Sequence, residues 1–389
     1  MCSSDLAMTR VLFIARYPNA LMERKLELMA QEPDLALWLV RPRAWRDEFG
    51  AIAIQTRGQG YRTSAVRMLG RANDPHRALY GTLTFALPAA RPDIIHVEEE
   101  PDSLATLQVM VARRLLAPNA LLVLHTWQNI NRRKRPAVQW LTRLALRQAD
   151  AILCANQEGV TVLREMTYAG PAAVIPPLGV DLALFRPGAP RAPSETLNIV
   201  YAGRLAPEKG LDTLLSALRG LGPQARLRLI GAGPHRDALA AATASLGVEG
   251  HVEFSAAVSA DQMPACLAEA DVLVLPSRTT PVWKEQFGRV LVEAMSCWTP
   301  VVGSDSGAIP EVIGDAGLIF AEGDAEALAA CLRRLAQSPE LRRELGGRGR
   351  RRVAEHYTVE RIARQTVELW RGLLAARPQE RGDPRAAVK

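Results

Sequence analysis

Short apolar runs alternate with amphipathic helical stretches along this chain, and the alternation stops and restarts once. Arg10 to Tyr17 reads as a buried strand closed by Pro18-Asn19, and residues 20–31 read as a helix with Leu21, Leu26, Leu28 and Met29 among its apolar positions. Leu35 to Val40, Pro92 to Val97, Ala120 to Leu124, Asp150 to Ala155 and Ala173 to Pro177 read as further strands. The Pro-rich, polar stretch 186–196 (RPGAPRAPSET) then reads as a linker. Beyond it the pattern resumes with Leu197 to Tyr201, Arg226 to Ile230, Val252 to Phe254, Asp271 to Leu275 and Pro300 to Val302. Strands alternating with helices predict parallel α/β sheets, which bind ligands at the carboxyl ends of their strands. Two such units are expected, over 8–185 and 197–357, the second closing with helices over 324–336 and 338–356, and a last helix is expected over 358–374.

Some stretches resist this pattern. Residues 43–80 are rich in Arg and Gly with weak periodicity and read as an irregular excursion near the cleft. Residues 1–7, MCSSDLA, resemble translated sequencing adaptor, so the natural chain is expected to start at Met8; the tail 376–389 is expected to be disordered. The run Arg348 to Arg352 reads as a solvated helix face.

At 389 residues, 48% hydrophobic and 23% charged, the chain has the composition of a soluble globular protein with room for two cores. The five cysteines are widely spaced with no CxxC, which predicts a reduced, cytoplasmic protein without disulfides or zinc. The net charge is +7, and residues 1–185 carry 22 basic against 17 acidic side chains. That excess favours a surface facing anionic lipid or an anionic acceptor. Six tyrosines and no basic-aromatic interleaving argue against nucleic acid.

The stretch most suited to chemistry is 283–313. Glu285 sits in a loop that turns at Phe287-Gly288 into an apolar helical run, Arg289 to Met295, with Glu293 eight residues after Glu285. A helix start offers free N–H groups and a positive dipole end to a phosphate, around Gly288, Arg289 and Val290. A carboxylate such as Glu293 can accept two hydrogen bonds from a sugar diol. Upstream, Gly203-Arg204-Leu205-Ala206-Pro207-Glu208-Lys209-Gly210 follows a strand and places two cations beside a helix start, a pattern suited to a diphosphate. Gly231-Ala232-Gly233-Pro234 also follows a strand, but Arg236 stands where a dinucleotide fold would need its third glycine, which disfavours NAD.

Glu285, seven residues, Glu293 and a following PEV resemble the E-x7-E signature of the retaining glycosyltransferases of family 4. Gly179-Val180-Asp181 with Phe185-Arg186-Pro187, and Tyr201 to Leu205 with Glu208-Lys209-Gly210, match in the same order, so the resemblance spans 179–313. It implies a GT-B fold of two Rossmann-like domains facing across a cleft. An acceptor would bind the first domain and a nucleotide diphosphate sugar the second, and a C-terminal helix (358–375) would cross back. It implies that Arg204 and Lys209 bind the diphosphate, that Glu285 contacts the hexose hydroxyls and that Glu293 holds the ribose. Gly203, Gly231, Phe287 and the backbone around Ala257-Val258 complete the donor site. His125, at a strand end, would face the donor sugar; its alternative is a core histidine. No cofactor or metal is expected, since no DxD pair stands in a suitable loop.

Other features stay open on the residues alone. Glu98 to Glu100 follow a strand and read either as an acceptor rim or hydroxyl base, or as helix N-terminal charge. Asn131-Arg132-Arg133-Lys134-Arg135-Pro136, leading into a helix with Val138, Leu141, Leu144 and Ala145 on one face, suits an anionic lipid-linked acceptor or the membrane surface, or is a solvated lead-in to a core helix. The loop Ala15 to Ala20 lacks the glycines usual in relatives and receives no ligand contact. Trp298 stands where relatives place glycine. A sugar-nucleotide epimerase of the same fold, a dinucleotide oxidoreductase and a non-catalytic nucleotide-sugar-binding subunit are the alternatives.

Overall fold

A computed structural model describes residues 8–17, 20–47, 50–53, 58–70, 74, 76–188 and 196–377. The expected artefact at 1–7, most of the linker (189–195) and the tail from 378 lie outside the described residues.

The first domain holds strands β1 (Thr9–Ile14), β2 (Leu35–Pro42), β3 (Ala44–Asp47), β4 (Gly50–Ala53), β5 (Arg62–Val66), β6 (Met68–Gly70), β7 (Ala78–Tyr80), β8 (Ile94–Val97), β9 (Leu121–Thr126), β10 (Ala151–Cys154) and β11 (Ala172–Val174). Its helices are α1 (Ala20–Met29), α2 (Leu83–Ala90), α3 (Leu104–Leu116), α4 (Pro136–Gln148) and α5 (Gln157–Glu165). Seven strands form a parallel sheet in the order β11-β10-β9-β8-β1-β2-β5. Strands β8 and β9 are buried end to end and β1 from Val11 to Ile14, as expected where helices cover both faces.

The excursion at 43–80 is more regular than its sequence suggests. It makes the hairpins β3–β4 and β6–β7 and supplies β5, which pairs with β2 as the edge of the sheet. Its strands are three to five residues long, and β5 (RTSAV) buries only Val66 fully, so the apolar periodicity is weak.

The second domain holds β12 (Leu197–Ala202), β13 (Ala225–Ile230), β14 (Val252–Ser255), β15 (Val272–Leu275), β16 (Val301–Ser304) and β17 (Leu318–Phe320). Around them lie α6 (Leu211–Arg219), α7 (Arg236–Leu246), α8 (Met263–Ala268), α9 (Arg289–Ser296), α10 (Ile309–Ile313), α11 (Ala325–Gln337) and α12 (Pro339–His356). The strand order is β14-β13-β12-β15-β16-β17, all parallel. Each sheet has a topological switch point, β1/β8 in the first and β12/β15 in the second, where crevices form at strand carboxyl ends.

Helix α13 (Val359–Ala375) returns to the first domain. Ile362, Ala363, Val367 and Trp370 share a core with Val11, Phe13 and Leu26, on the face of the first sheet opposite α3 and α4. The segment Gly179-Val180-Asp181 is where the return is clamped: Val180 bridges Thr358, and a Cβ on Gly179 would lie 2.6 Å from the Val359 backbone. The arginine run is corrected here at two of its residues. Arg350 donates to the carbonyls of Phe185 and Ser296, and Arg352 to those of Val312 and Glu311, so these arginines staple α12 to its surroundings instead of facing solvent. Trp298 takes a left-handed φ of 63°, the conformation a glycine at that turn would adopt without strain.

Trp370 donates from its indole N–H to His96 Nδ1 over 3.1 Å, which leaves the imidazole proton on Nε2. Burial then holds His96 well below its usual pKa. An unfolded histidine titrates near pH 6.5 and binds the proton that the folded one refuses, so this contribution to stability is present above about pH 6.5 and is lost as pH falls. Between about pH 7 and 5, wild-type unfolding free energy should carry a slope of up to about 1.4 kcal/mol per pH unit from this group. Denaturant titrations of His96→Asn should show that much less dependence; equal slopes would contradict the neutral buried imidazole.

Candidate active site

The second sheet's switch point supplies the site. Strand β12 ends at Ala202, and Gly203-Arg204 turn away, fixed by the Tyr201 hydroxyl donating to the Arg204 carbonyl at 2.7 Å. A single 3-10 turn, Pro207–Lys209, then aims Lys209 back across the sheet edge. From the other side, β15 runs into Pro276-Ser277 and the loop carrying Glu285. The two sides meet: Lys209 Nζ lies 2.7 Å from Glu285 Oε2, which also accepts from the Ser277 hydroxyl at 2.8 Å. The Trp283 ring lies 4.5 Å from the Lys209 ammonium, a cation–π contact. Arg204 pairs with Glu208.

Helix α9 begins after Gly288 and presents its amino end to the same space. One turn further, Glu293 is buried and ion-paired with Arg289 at 2.7 Å. Burial raises the Glu293 carboxyl above its usual pKa, and the Arg289 charge works against that rise. These groups line a cleft of about 620 Å³ that includes Gly203, Arg204, Lys209, Val258, Glu285, Gly288, Arg289, Val290 and Glu293. Tyr201, Met263, Leu275, Trp283 and Gln286 complete its walls.

Three residues named from the sequence lie elsewhere. Phe287 is buried and packs edge-on against Tyr357, with ring centroids 5.7 Å apart. Gly231 lies under the loop: a Cβ there would sit 1.9 Å from the Gly203 carbonyl oxygen, so its glycine permits the close approach of two strand-end loops. His125 is buried in the first domain, its Nε2 donating to the Ile175 carbonyl at 2.8 Å and its Nδ1 3.4 Å from Glu98. Burial lowers its pKa, and it is absent from the cleft wall.

None of the three acids after β8 is charge on the first turn of a helix, which starts at Leu104 behind the cap Ser103, and Glu100 lines a recess between the domains. Glu98 binds Lys25 and the Tyr17 hydroxyl, Glu99 binds Arg16 and the Tyr80 hydroxyl, and Glu100 accepts from the Thr126 hydroxyl and the Trp127 amide. Burial pushes the carboxyls of Glu99 and Glu100 up, while the Lys25 charge pulls Glu98 down against its own burial. Among the described residues one group gathers metal-ligand atoms, with His96, Glu98 and His125 offering theirs within 4.8 Å of one another. A metal fits it poorly. The Lys25 ammonium sits on the same Glu98 oxygen, and the bond from Trp370 keeps the His96 proton on the nitrogen facing Glu98.

The first domain reaches the site through amides. Asn129 Nδ2 donates to the Glu285 carbonyl at 2.9 Å, and Asn156 donates to that of Gln286. Lys284 pairs with Glu158 across the cleft at 2.6 Å. A smaller recess of about 140 Å³ lies between the domains, lined by His76, Glu100, Asp102, Gln128, Asn129, Trp283 and Gln286 among others, and shares Trp283 and Gln286 with the main cleft. Sequence reasoning missed Trp283 and both asparagines. Asn129 and Asn156 follow strand ends, the one signal available for them.

Gly307 supports the same loop. Its φ is 54°, and a Cβ would fall 2.1 Å from the Glu285 carbonyl oxygen, which also accepts from the Ala308 amide at 2.9 Å. Gly307→Ala should therefore cost about 1–3 kcal/mol and push Glu285 off Lys209. Thermal melting with nucleotide binding checks this, and an unchanged melting temperature would contradict it.

Comparison with known proteins bears on the family and the fold. The family profile described as "Glycosyl transferases group 1" matches residues 187–352. A GDP-mannose-dependent alpha-(1-6)-phosphatidylinositol monomannoside mannosyltransferase of Mycolicibacterium smegmatis is 31% identical over 257 residues, covering 61% of this chain and 67% of that protein. An MMP alpha-(1->4)-mannosyltransferase of Mycolicibacterium hassiacum is 31% identical over 247 residues, and the match spans 57% of that protein and 61% of this chain. Among solved structures, sucrose-phosphate synthase from Thermosynechococcus elongatus superposes with a TM-score of 0.74 at 22% identity, covering 95% of this chain and all of that one. Anabaena HepE, solved with UDP, gives a TM-score of 0.71 at 20% identity over 94% of this chain and 100% of its own. These two likenesses establish the GT-B architecture of two Rossmann-like domains. With a matching family profile and a relative 31% identical over two thirds of its length, the chain belongs to the group 1 glycosyl transferases.

Proposed function

We propose that the protein transfers a hexosyl residue from a nucleotide diphosphate sugar to an acceptor hydroxyl, with retention at the anomeric carbon, in the synthesis of cell-envelope glycolipid or polysaccharide. One observation carries this reading. Two cations from the β12 end, Arg204 and Lys209, meet the Glu285 loop and the amino end of α9 in one cleft. A departing nucleotide diphosphate gathers negative charge, and preorganised cations and amide dipoles aimed at it stabilise the transition state. Arg204, Lys209 and the amides at Gly288 to Val290 take that role. Glu285, held by Ser277 and Lys209, is positioned for the hexose hydroxyls, and Glu293 for the ribose diol.

Bond formation joins the acceptor oxygen to the anomeric carbon as the bond from that carbon to the phosphate oxygen breaks. The acceptor proton passes to the departing phosphate oxygen. This route needs no protein base, in keeping with His125 lying buried away from the cleft wall. The acceptor is a saccharide or lipid-linked saccharide entering from the first domain, where the recess around His76, Asp102 and Trp283 shares Trp283 and Gln286 with the main cleft. The name of the phosphatidylinositol monomannoside mannosyltransferase supports a glycolipid acceptor. The reading calls for no cofactor and no metal, and places the protein in the cytoplasm against the inner face of the membrane.

The test is product stereochemistry. The purified protein is incubated with an α-linked nucleotide hexose and simple glycoside acceptors, with chelator present, and the new anomeric signal is read by proton NMR. An α-linked product with release of the nucleoside diphosphate supports the proposal. A β-linked product would overturn retention, and an epimerised donor without transfer would favour the sugar-nucleotide epimerase.

A further inference from the structure

The recess between the domains holds a histidine that the donor chemistry does not use. His76 comes from the excursion over 43–80 and lines this recess beside Glu100, Asp102, Trp283 and Gln286. Its backbone is tied on both sides. The His76 amide donates to Asp74 Oδ1 at 3.0 Å, and the His76 carbonyl accepts from the Leu104 amide at 2.9 Å, at the start of α3.

The ring is held as firmly. His76 Nδ1 lies 3.1 Å from Asp102 Oδ1, and Asp102 Oδ2 lies 2.9 Å from Lys134 Nζ. Burial works against ionisation of Asp102, but the His76 bond and the Lys134 charge hold its carboxyl below the usual range. A carboxylate only accepts, so the contact with Asp102 puts a proton on Nδ1. The other nitrogen, Nε2, has no hydrogen-bond partner among the described residues, and the His76 side chain is 39% exposed. Glu100 stands in the same recess with capacity to spare. Its two oxygens accept from the Thr126 hydroxyl and the Trp127 amide, and a carboxylate can take about four such bonds.

We infer that His76 and Glu100 bind hydroxyls of the acceptor sugar in this recess, and that Asp102 and Lys134 position the His76 ring for that contact. A hydroxyl both gives and accepts, so it can bond to Nε2 whether the imidazole is neutral or protonated. Glu100 takes the proton of a second hydroxyl. A phosphate or carboxylate suits the recess less well, because it would face both acids. The lysines close by are already paired, Lys134 with Asp102 and Lys284 with Glu158. Trp283 and Gln286 line both spaces, so a sugar held by His76 and Glu100 lies beside the donor cleft. Calling this ligand the acceptor rests on the sugar transfer proposed above, whereas its hydroxyls are read from the recess itself.

Binding is read without turnover, by saturation-transfer NMR on the full chain with and without UDP, GDP or ADP. The probes are the methyl α-pyranosides of mannose, glucose and galactose. At least one should bind, and His76→Ala should raise its Kd about 2- to 12-fold, the range for one hydrogen bond. His76→Gln, whose amide also gives and accepts, should restore most of that loss. Asp102→Asn should lose part of the same affinity in the wild type and nothing further in the His76→Ala protein, since it acts through the ring. With the glycoside as acceptor, KM should follow Kd while kcat stays near wild type. The melting temperature of His76→Ala, and its rise with a nucleoside diphosphate, should match wild type, which separates a lost contact from lost folding. No binding by any probe, equal affinity in His76→Ala, or His76→Gln no better than His76→Ala would each overturn the inference. A protein that no nucleoside diphosphate stabilises would defeat the transferase reading instead, while a glycoside bound through His76 would still make the recess a saccharide site.

Discussion

Lys209→Ala should lower kcat for sugar transfer by about 100- to 1,000-fold, or roughly 2.7–4 kcal/mol of transition-state stabilisation. Lys209 has two duties in the cleft. Its ammonium faces the place where the leaving diphosphate would develop charge, and it neutralises Glu285, which is 7% exposed. Removing it leaves a nearly buried carboxylate with the Ser277 hydroxyl as its remaining side-chain partner in the cleft, an arrangement that favours withdrawal of Glu285 from its place. Donor affinity should therefore fall together with turnover. Lys209→Arg keeps the charge, but its planar fork cannot reproduce the single contact above Trp283, so it should rescue binding more than rate. Steady-state kinetics with the preferred donor decide this. A kcat close to wild type in Lys209→Ala would remove the charge-neutralising role assigned to the residue.

Trp370→Ala should cost about 3–5 kcal/mol of stability, the range for removing a fully buried aromatic. Trp370 is 0% exposed, meets Phe13 at 6.3 Å and His96 at 5.5 Å between ring centroids, and donates its indole proton to His96. The residue comes from the last helix yet sits in the first domain's core, so the loss falls on the element that joins the chain's two ends. Arg371 adds ion pairs to Asp34 and Glu32 on the surface, which water and salt screen and which do not offset a lost core residue. For a domain of this size the melting temperature should fall by on the order of 10 °C. Trp370→Phe, which keeps most of the volume and loses the hydrogen bond, should fall by much less. A small effect of Trp370→Ala would mean that α13 is only loosely seated.

The architecture was legible because parallel strands buried on both faces leave unmistakable apolar runs, as in Leu121 to Thr126 or Val272 to Leu275. The gathering of the cleft residues at the strand ends was legible for a related reason. Gly203, Arg204, Lys209, Glu285 and Glu293 lie in short segments whose spacing maps directly onto one switch point. What the sequence concealed depends on contacts distant along the chain. Asn129 and Asn156 reach the 285–286 backbone from 156 and 130 residues away. Arg350 and Arg352 look solvated in an arginine-rich run, but their guanidinium groups end on carbonyls of other elements. Phe287 and Gly231 lie within recognisable motifs and serve packing beneath the cleft. His125 and the acids after β8 looked like site chemistry because they sit at strand ends. At the first sheet's switch point Glu98 and Glu99 are instead paired with Lys25, Arg16 and two tyrosines, while Glu100 lines the recess between the domains.

The central claim is that the cleft between β12 and α9 binds a nucleoside diphosphate. Its most direct test is thermal melting of the wild-type protein and Arg204→Ala with UDP, GDP, ADP, their hexose conjugates and NAD(H), in chelator. One nucleoside diphosphate family at about 100 times its dissociation constant should stabilise the wild type by about 2.7 kcal/mol. Arg204→Ala should lose that gain. Stabilisation by NAD(H) alone, or a nucleotide response unchanged in Arg204→Ala, would contradict the account.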